Sequence, residues 1–321
     1  MFNVLRQSLR IGVVTTSYPA APADVSAHSR GRPEIDWAAW ADARAAARIC
    51  PTGAIALADA DGRRRATLDL GKCTFCGLCA EVDPAIRMTR DCECAASSRG
   101  ALVAAATYSL KPDGSHDALI EPPSVGGSGA GASLDARASA ASVEAVGREL
   151  KDRTRKLLGR SLHIREVDAG SCNGCEIEIV GLNSPIYDAE RFGVHFVASP
   201  RHADMLLVTG PVTRNMELAL RKTYDAMPGP RLVVAVGACG CSGGIFGVNY
   251  ATRGAVDAVI PVDVYIPGCP PRPEQMLDAL VMLQERIQKG EGHSQVVLRA
   301  ERGYVAPDVA IRPDAKEGAG R

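Results

Sequence analysis

Five short strand-like runs recur through the second half of the chain: Leu162–Val167, Val194–Val197, Met205–Val208, Arg231–Val236 and Val262–Ile266. Between and after them, apolar residues fall at helical spacing in Glu176–Tyr187, Asn215–Ala226 and, behind Pro273, Glu274–Gln288. Helical patterns separate these strand-like runs, so the strands should lie parallel in one sheet. The expectation is an α/β domain over residues 156–290, a small doubly wound parallel sheet of flavodoxin-like type with its strand carboxyl ends on one edge.

The rest of the chain patterns differently. Phe2, Leu5 and Leu9 recur at helical spacing, with Arg6 and Arg10 on another face. This predicts an N-terminal helix that rests on a membrane surface or docks on a partner protein. Ile11–Val14 is too short for the ~7–15 residue apolar core of a signal peptide. From residue 96 to about 142 the composition turns to Ala, Ser, Gly and Pro, including Glu121-Pro-Pro-Ser-Val-Gly-Gly-Ser-Gly-Ala-Gly131. That reads as a flexible linker. Val143, Val146, Leu150 and Leu157 then predict a helix with a basic exposed face, so that residues 96–155 form a linker and helix. Residues 291–321 read as a polar tail.

Cysteines change the picture. Cys172 and Cys175 follow the first run, Cys239 the fourth and Cys269 the fifth, so parallel strands bring four thiols to one edge of the sheet. Four converging thiolates hold either tetrahedral zinc or an iron–sulfur cluster. Structural zinc usually draws on two close pairs, whereas here one CxxC pair joins two distant single cysteines, which favours a cluster. Surrounding glycines, including Gly174, Gly237, Gly244 and Gly268, let backbone amides approach the sulfurs.

A second set lies in residues 1–95. A bacterial two-cluster ferredoxin carries two runs of CxxCxxCxxxCP, and the fourth cysteine of each run ligates the other run's cluster. Here the first run keeps only Cys50-Pro51, while the second keeps Cys73, Cys76 and Cys79 but has Asp83-Pro84 in its last place. With exchanged ligation, one ligand set is wholly lost and Cys50, Cys73, Cys76 and Cys79 form the complete other set. Two alternatives stay open: Asp83 as the fourth ligand with Cys50 free, or a three-iron cluster on the three close cysteines. The segment reads as a small α+β ferredoxin-like domain with one cluster. Cys92 and Cys94 fit neither run and read as free thiols in a strand.

The stretches Leu158–Glu176, with Ser171-Cys-Asn-Gly-Cys175, then Ser199–Val212, Gly237-Ala-Cys-Gly-Cys-Ser-Gly-Gly244 and Pro267-Gly-Cys-Pro-Pro-Arg-Pro-Glu274, resemble the small subunit of membrane-bound, energy-converting nickel–iron hydrogenases such as formate hydrogenlyase. The B-type subunit of respiratory complex I is a member of the same superfamily. Complex I has two adjacent cysteines where this chain has Cys172-x-x-Cys175, which favours the hydrogenase branch. Met1–Leu5 and Gly12–Pro19 resemble the start of the ferredoxin subunit of formate hydrogenlyase. The resemblance implies a 4Fe-4S cluster on Cys172, Cys175, Cys239 and Cys269, hence two 4Fe-4S clusters in the chain. It also implies a hydrogenase large-subunit-like partner, the counterpart of the D-type subunit of complex I, that carries the nickel–iron centre. Membrane-arm subunits, a ferredoxin or formate dehydrogenase donor, and a peripheral place on the cytoplasmic side of the inner membrane follow from the same likeness. One rival is a complex I-like subunit delivering electrons to quinone; another is a scaffold or assembly protein stabilised by zinc.

Composition excludes other classes. Net charge is zero and aromatic residues make up 4%, so neither a basic footprint nor a base-stacking surface points to nucleic acid. Eleven cysteines in 321 residues, clustered as they are, suit metal binding in a reducing compartment rather than a secreted disulfide framework. No apolar run approaches the ~18 residues of a membrane span. Gly237–Gly247 lacks the GxGxxG pattern of a dinucleotide site. Glu178 reads as a carboxylate at a helix N-terminus or a proton-moving group, Cys241 falls outside the ligand set, and His163, His195 and His202 default to structural roles.

Overall fold

The computed structural model describes residues 2–15, 25–26, 28–125, 161–229 and 231–289. The expected basic helix after residue 142 and the tail 291–321 lie outside the described residues. Helix α1 (Phe2–Ile11) forms where the spacing of Phe2, Leu5 and Leu9 predicts it.

Five strands build the parallel sheet: β7 (Leu162–Asp168), β8 (Val194–Phe196), β9 (Met205–Thr209), β10 (Leu232–Val236) and β11 (Val264–Ile266). Their order is β11-β10-β9-β7-β8, and every pairing is parallel. Counted from the domain's own first strand this is 2-1-3-4-5, the flavodoxin-like order. Every residue of β9, β10 and β11 is buried, because helices and loops cover both faces. One face packs Ile164, Met205, Leu207, Val234 and Ile266 against Ile179 of α4 (Gly174–Gly181) and Leu277 and Leu280 of α7 (Pro273–Lys289). The other face packs Leu206, Val208, Val233 and Ala235 around Leu220 of α5 (Arg214–Asp225). Helix α7 starts on Pro273, whose missing N–H costs nothing in a first turn. Helix α4 ends six residues before the expected Tyr187, ahead of Pro185, which disfavours helical geometry in the residue before it.

The N-terminal half has two antiparallel sheets. In the smaller, β1 (Pro33–Ile35) pairs with β4 (Ile86–Met88). The larger has the order β2-β3-β5-β6, with β2 (Ile55–Ala60), β3 (Arg63–Asp69), β5 (Val103–Leu110) and β6 (His116–Val125). Two short helices, α2 (Arg44–Ile49) and α3 (Leu78–Val82), complete this half.

Strands β5 and β6 correct the expectation that residues 96–125 belong to a linker. In Val103-Ala-Ala-Ala-Thr-Tyr-Ser-Leu110 the alanines are core residues: Ala105, Ala106 and Tyr108 are buried while β5 pairs with β3 along its length. Small side chains let the strand lie close to its neighbours, and the same composition mimics a linker. The turn between β5 and β6, Lys111-Pro-Asp-Gly-Ser115, carries the Pro-Asp-Gly signature of a tight turn, with Gly114 at φ +80°.

The chain segment before β5 joins the two halves. Ala96 exchanges two backbone hydrogen bonds with Tyr265 of β11, at 2.9 and 2.8 Å, and so extends the parallel sheet by one bridge. Ala95 enters one core and Ala96, Ala101 and Leu102 the other. Cys92 and Cys94 lie in this segment, buried in a loop rather than in the strand expected for them.

Candidate metal centres

Each strand end of the parallel sheet presents a cysteine through its own local device. After β7, the Asp168 carboxylate accepts the N–H groups of Gly170 and Ser171 at 2.7 and 2.6 Å, and Ser171 Oγ accepts that of Asn173 at 3.1 Å. This turn holds Cys172 exposed on its crest and sets Cys175 in the first turn of α4. After β10, Gly237 enters α6 (Gly237–Ser242) at φ +81°, which places Cys239 on that helix. After β11, Gly268 at φ +134° precedes Cys269, and its carbonyl accepts the N–H of Ala238 at 2.7 Å, fastening the two loops together.

Two glycines clear space for sulfur. A Cβ added at Gly237 would stand 2.7 Å from Cys175 Sγ, and one at Gly244 would stand 2.7 Å from Cys239 Sγ. Burial, reinforced by Glu176 and the neighbouring thiols, pushes Cys175 far above the usual thiol range. Cys239 is pushed up to about 11 by burial and then by Cys269 and Cys172, and Cys269 rises for the same two kinds of reason, burial and Cys172. Four thiols close enough to oppose one another's ionisation are unfavourable as bare thiolates. A cationic centre reverses that sign and displaces the protons.

The N-terminal half gathers its four cysteines around one small apolar cavity. Cys50, Cys73, Cys76 and Cys79 line it together with Pro33, Ile55, Leu68 and Met88. Cys73 is pushed up to about 12 by burial, against a hydrogen bond from the Phe75 N–H, with the other three thiols adding to the rise. At Cys50 burial also raises the thiol, but N–H groups of Ile55, Thr52 and Ala54 outweigh it and the net shift is downward. The Ala54 N–H reaches Cys50 Sγ at 3.2 Å. Peptide donors of this kind stabilise a ligating thiolate.

Asp83 stands apart from this set. Its Oδ2 accepts the Trp40 indole N–H at 2.6 Å and its Oδ1 accepts the Ala85 N–H at 3.0 Å, and Cys50 rather than Asp83 lines the cavity beside the three close cysteines. Counting back from Cys50 by the ferredoxin spacing expects cysteines at positions 40, 43 and 46. Those positions hold Trp40, Ala43 and Ala46, all buried, and Asp83 holds the fourth. These positions form part of a packed core. Trp40 fills it, Trp37 and His116 meet Trp40 edge-on, and Tyr108 stacks on His116 at 3.9 Å.

Among the described residues, no three His, Cys, Asp or Glu side chains close tightly enough around one point to hold a single metal ion. A zinc–sulfur bond of ~2.3 Å would draw tetrahedral sulfurs to about 3.8 Å from one another. A four-iron cluster holds its thiolates farther apart than that.

Cys241 is fully buried and directs its thiol at the Ala235 carbonyl, away from the set. Cys94 donates to the Cys92 carbonyl and accepts from Gln275 Nε2 at 3.3 Å. Burial raises the Glu178 carboxyl. Sequence reasoning missed Glu176, which follows Cys175 directly and accepts the Thr209 hydroxyl; its place beside a cysteine at a helix start was the available signal.

A flavodoxin-type parallel sheet with four cysteines beyond its strand ends defines an α/β domain of the complex I 20 kDa and hydrogenase small-subunit kind. The chain belongs to the family described as NADH ubiquinone oxidoreductase, 20 kDa subunit, whose model matches residues 172–283. The probable membrane-bound hydrogenase subunit mbhJ of Pyrococcus furiosus is 50% identical over 134 residues, 42% of this chain and 80% of the relative. Formate hydrogenlyase subunit 7 of Escherichia coli is 49% identical over 142 residues, 43% of this chain and 56% of the relative. The B-type subunit of NADH-quinone oxidoreductase from Desulfovibrio desulfuricans is 50% identical over 115 residues, 36% of this chain and 62% of the relative. A chain in the structure of the membrane-bound sulfane sulfur reductase, an archaeal respiratory membrane complex, aligns at 36% identity over 48% of this chain and 85% of its own length, with a TM-score of 0.40. These relatives are subunits of oxidoreductase complexes. No helix among the described residues is long and apolar enough to cross a membrane.

Proposed function

We propose that the chain is an iron–sulfur electron-transfer subunit of a membrane-associated nickel–iron hydrogenase complex of the formate hydrogenlyase kind. Cys172, Cys175, Cys239 and Cys269 would hold one 4Fe-4S cluster and Cys50, Cys73, Cys76 and Cys79 another. Such a cluster takes up and returns one electron at a time. The observation that carries this reading is the gathering of eight of the eleven cysteines into two sets of four, each served by glycines or peptide N–H groups. The protein's own part is to enclose six of the eight cysteines partly and aim peptide dipoles at sulfurs, factors that set a cluster's potential.

The catalytic centre would lie on a large partner subunit. Cys172 and Cys269 are exposed, and the surface of α4 and of the loop after Cys239 exposes Ile177, Val180, Ile245, Phe246, Val248 and Tyr250. An apolar rim around exposed thiols is suited to being covered by a protein. The relatives named as hydrogenase and formate hydrogenlyase subunits, and the CxxC spacing at Cys172, favour hydrogen over quinone as the terminal chemistry. The NADH-quinone oxidoreductase relative keeps the quinone reading as the second.

Equilibrating the purified intact complex under hydrogen tests this choice. Both clusters are expected to become reduced and paramagnetic in low-temperature EPR without added reductant. Clusters that stay oxidised under hydrogen yet are reduced by a quinol would select the quinone reading.

A further inference from the structure

Residues 29–32 form a strap that leads into β1 and runs between the two cysteine sets. The Gly31 N–H donates to the Thr89 carbonyl at 2.7 Å, the Arg32 N–H to the Asp91 carbonyl at 2.8 Å, and the Arg32 guanidinium pairs with Asp91 at 2.7 Å. On the other side Ser29 Oγ accepts Arg272 Nη1 at 3.3 Å, three residues past Cys269. With its flanks fixed, the strap lays the Arg30 side chain on the Cys73–Cys79 loop, where Nη1 donates to the Cys76 carbonyl. Gly77 makes room for it. A Cβ there would lie 3.2 Å from Arg30 Cδ and 3.4 Å from Nη1, and its φ of +84° suits glycine independently.

We propose that Arg30 is a positioning residue for the potential of the ferredoxin-like site, its fixed positive charge favouring the reduced form of the cluster held by Cys50, Cys73, Cys76 and Cys79. The inference rests on the reading that these four cysteines hold a cluster. Reduction adds one negative charge, so a cation held against the ligand loop raises the potential; net charge and hydrogen bonding near the sulfurs are the levers a protein has on it. Arg32 and Arg87 meet carboxylates, Asp91 and Glu34, whereas Arg30 meets a neutral peptide carbonyl. Contact with the loop puts the charge within the ~8 Å screening length of physiological salt. The result is a site that takes up an electron more readily from a one-electron donor protein.

The test is an EPR-monitored redox titration of the anaerobically purified full chain, comparing wild type with Arg30→Gln, Arg30→Lys and, as a control for general surface charge, Lys72→Gln. Arg30→Gln keeps a donor for the Cys76 carbonyl and loses the charge. It is expected to lower the midpoint of the ferredoxin-like cluster, leave that of the sheet-domain cluster unmoved and leave the iron content unchanged. Arg30→Lys should restore most of the midpoint, Lys72→Gln should shift it less, and the Arg30→Gln shift should shrink as salt is raised. An unchanged midpoint in Arg30→Gln with both clusters present, or equal shifts of both clusters, overturns the role of Arg30 and leaves the proposed function standing. A wild-type chain with iron for one cluster only removes the two-cluster reading and this inference with it.

Discussion

Replacing Cys175 with alanine is expected to empty the sheet-domain site and end electron exchange with the large subunit, while the ferredoxin-like cluster remains. Cys175 is the most enclosed of its four donors in electrostatic terms: burial, Glu176 and the three other thiols all press on it. It also sits where Gly237 withholds a side chain, so no neighbour can swing in to replace the lost sulfur. The other set lies at the end of α2, on α3 and on the loop before it, and draws no cysteine from this one. Iron per purified chain should fall from about eight to about four, and one of two EPR signals should vanish. Loss of both signals together would mean that the two sites are not separate modules.

Trp40→Ala is expected to be the most destabilising change in the N-terminal half. Removing a buried tryptophan costs about 3–5 kcal/mol by cavity formation. Here it also strips Asp83 of the indole N–H at 2.6 Å, leaving a buried carboxylate short of a donor for roughly 1–3 kcal/mol more. Against a typical total of ~5–15 kcal/mol, the sum threatens the fold of this half. Trp40→Phe keeps most of the volume and loses only the donor, while Asp83→Asn keeps an acceptor without the charge, so both should be milder. Thermal melts checked by circular dichroism read the order. A Trp40→Ala protein that melts like wild type would show that the core in place of the lost ligand set carries no weight.

The parallel sheet and the cysteines at its edge were legible because β9 and β10 are covered on both faces and so read as unbroken apolar runs. Cys172, Cys239 and Cys269 could be placed without coordinates, since parallel strands deliver their following residues to one edge. The hairpin β5–β6 was hidden by its alanines, which serve equally in a linker and in a close-packed strand; only Lys111-Pro-Asp-Gly marked the turn. The Trp40–Asp83 pair spans 43 residues, and no local pattern joins them. Their positions are nevertheless those at which the ferredoxin spacing expects cysteines, so the same spacing that suggested Cys50, Cys73, Cys76 and Cys79 as one set also marks where this core lies. The clearance that Gly237 and Gly244 give to particular sulfurs emerges only when three loops are brought together.

Iron and acid-labile sulfide per chain, measured on anaerobically purified protein beside low-temperature EPR after dithionite reduction, bear on all of this at once. Two four-iron clusters predict about eight iron and eight sulfide with two S = 1/2 signals. About four of each would leave the Cys50, Cys73, Cys76 and Cys79 set empty and reduce the N-terminal half to a docking module, and zinc without sulfide would contradict the electron-transfer role outright.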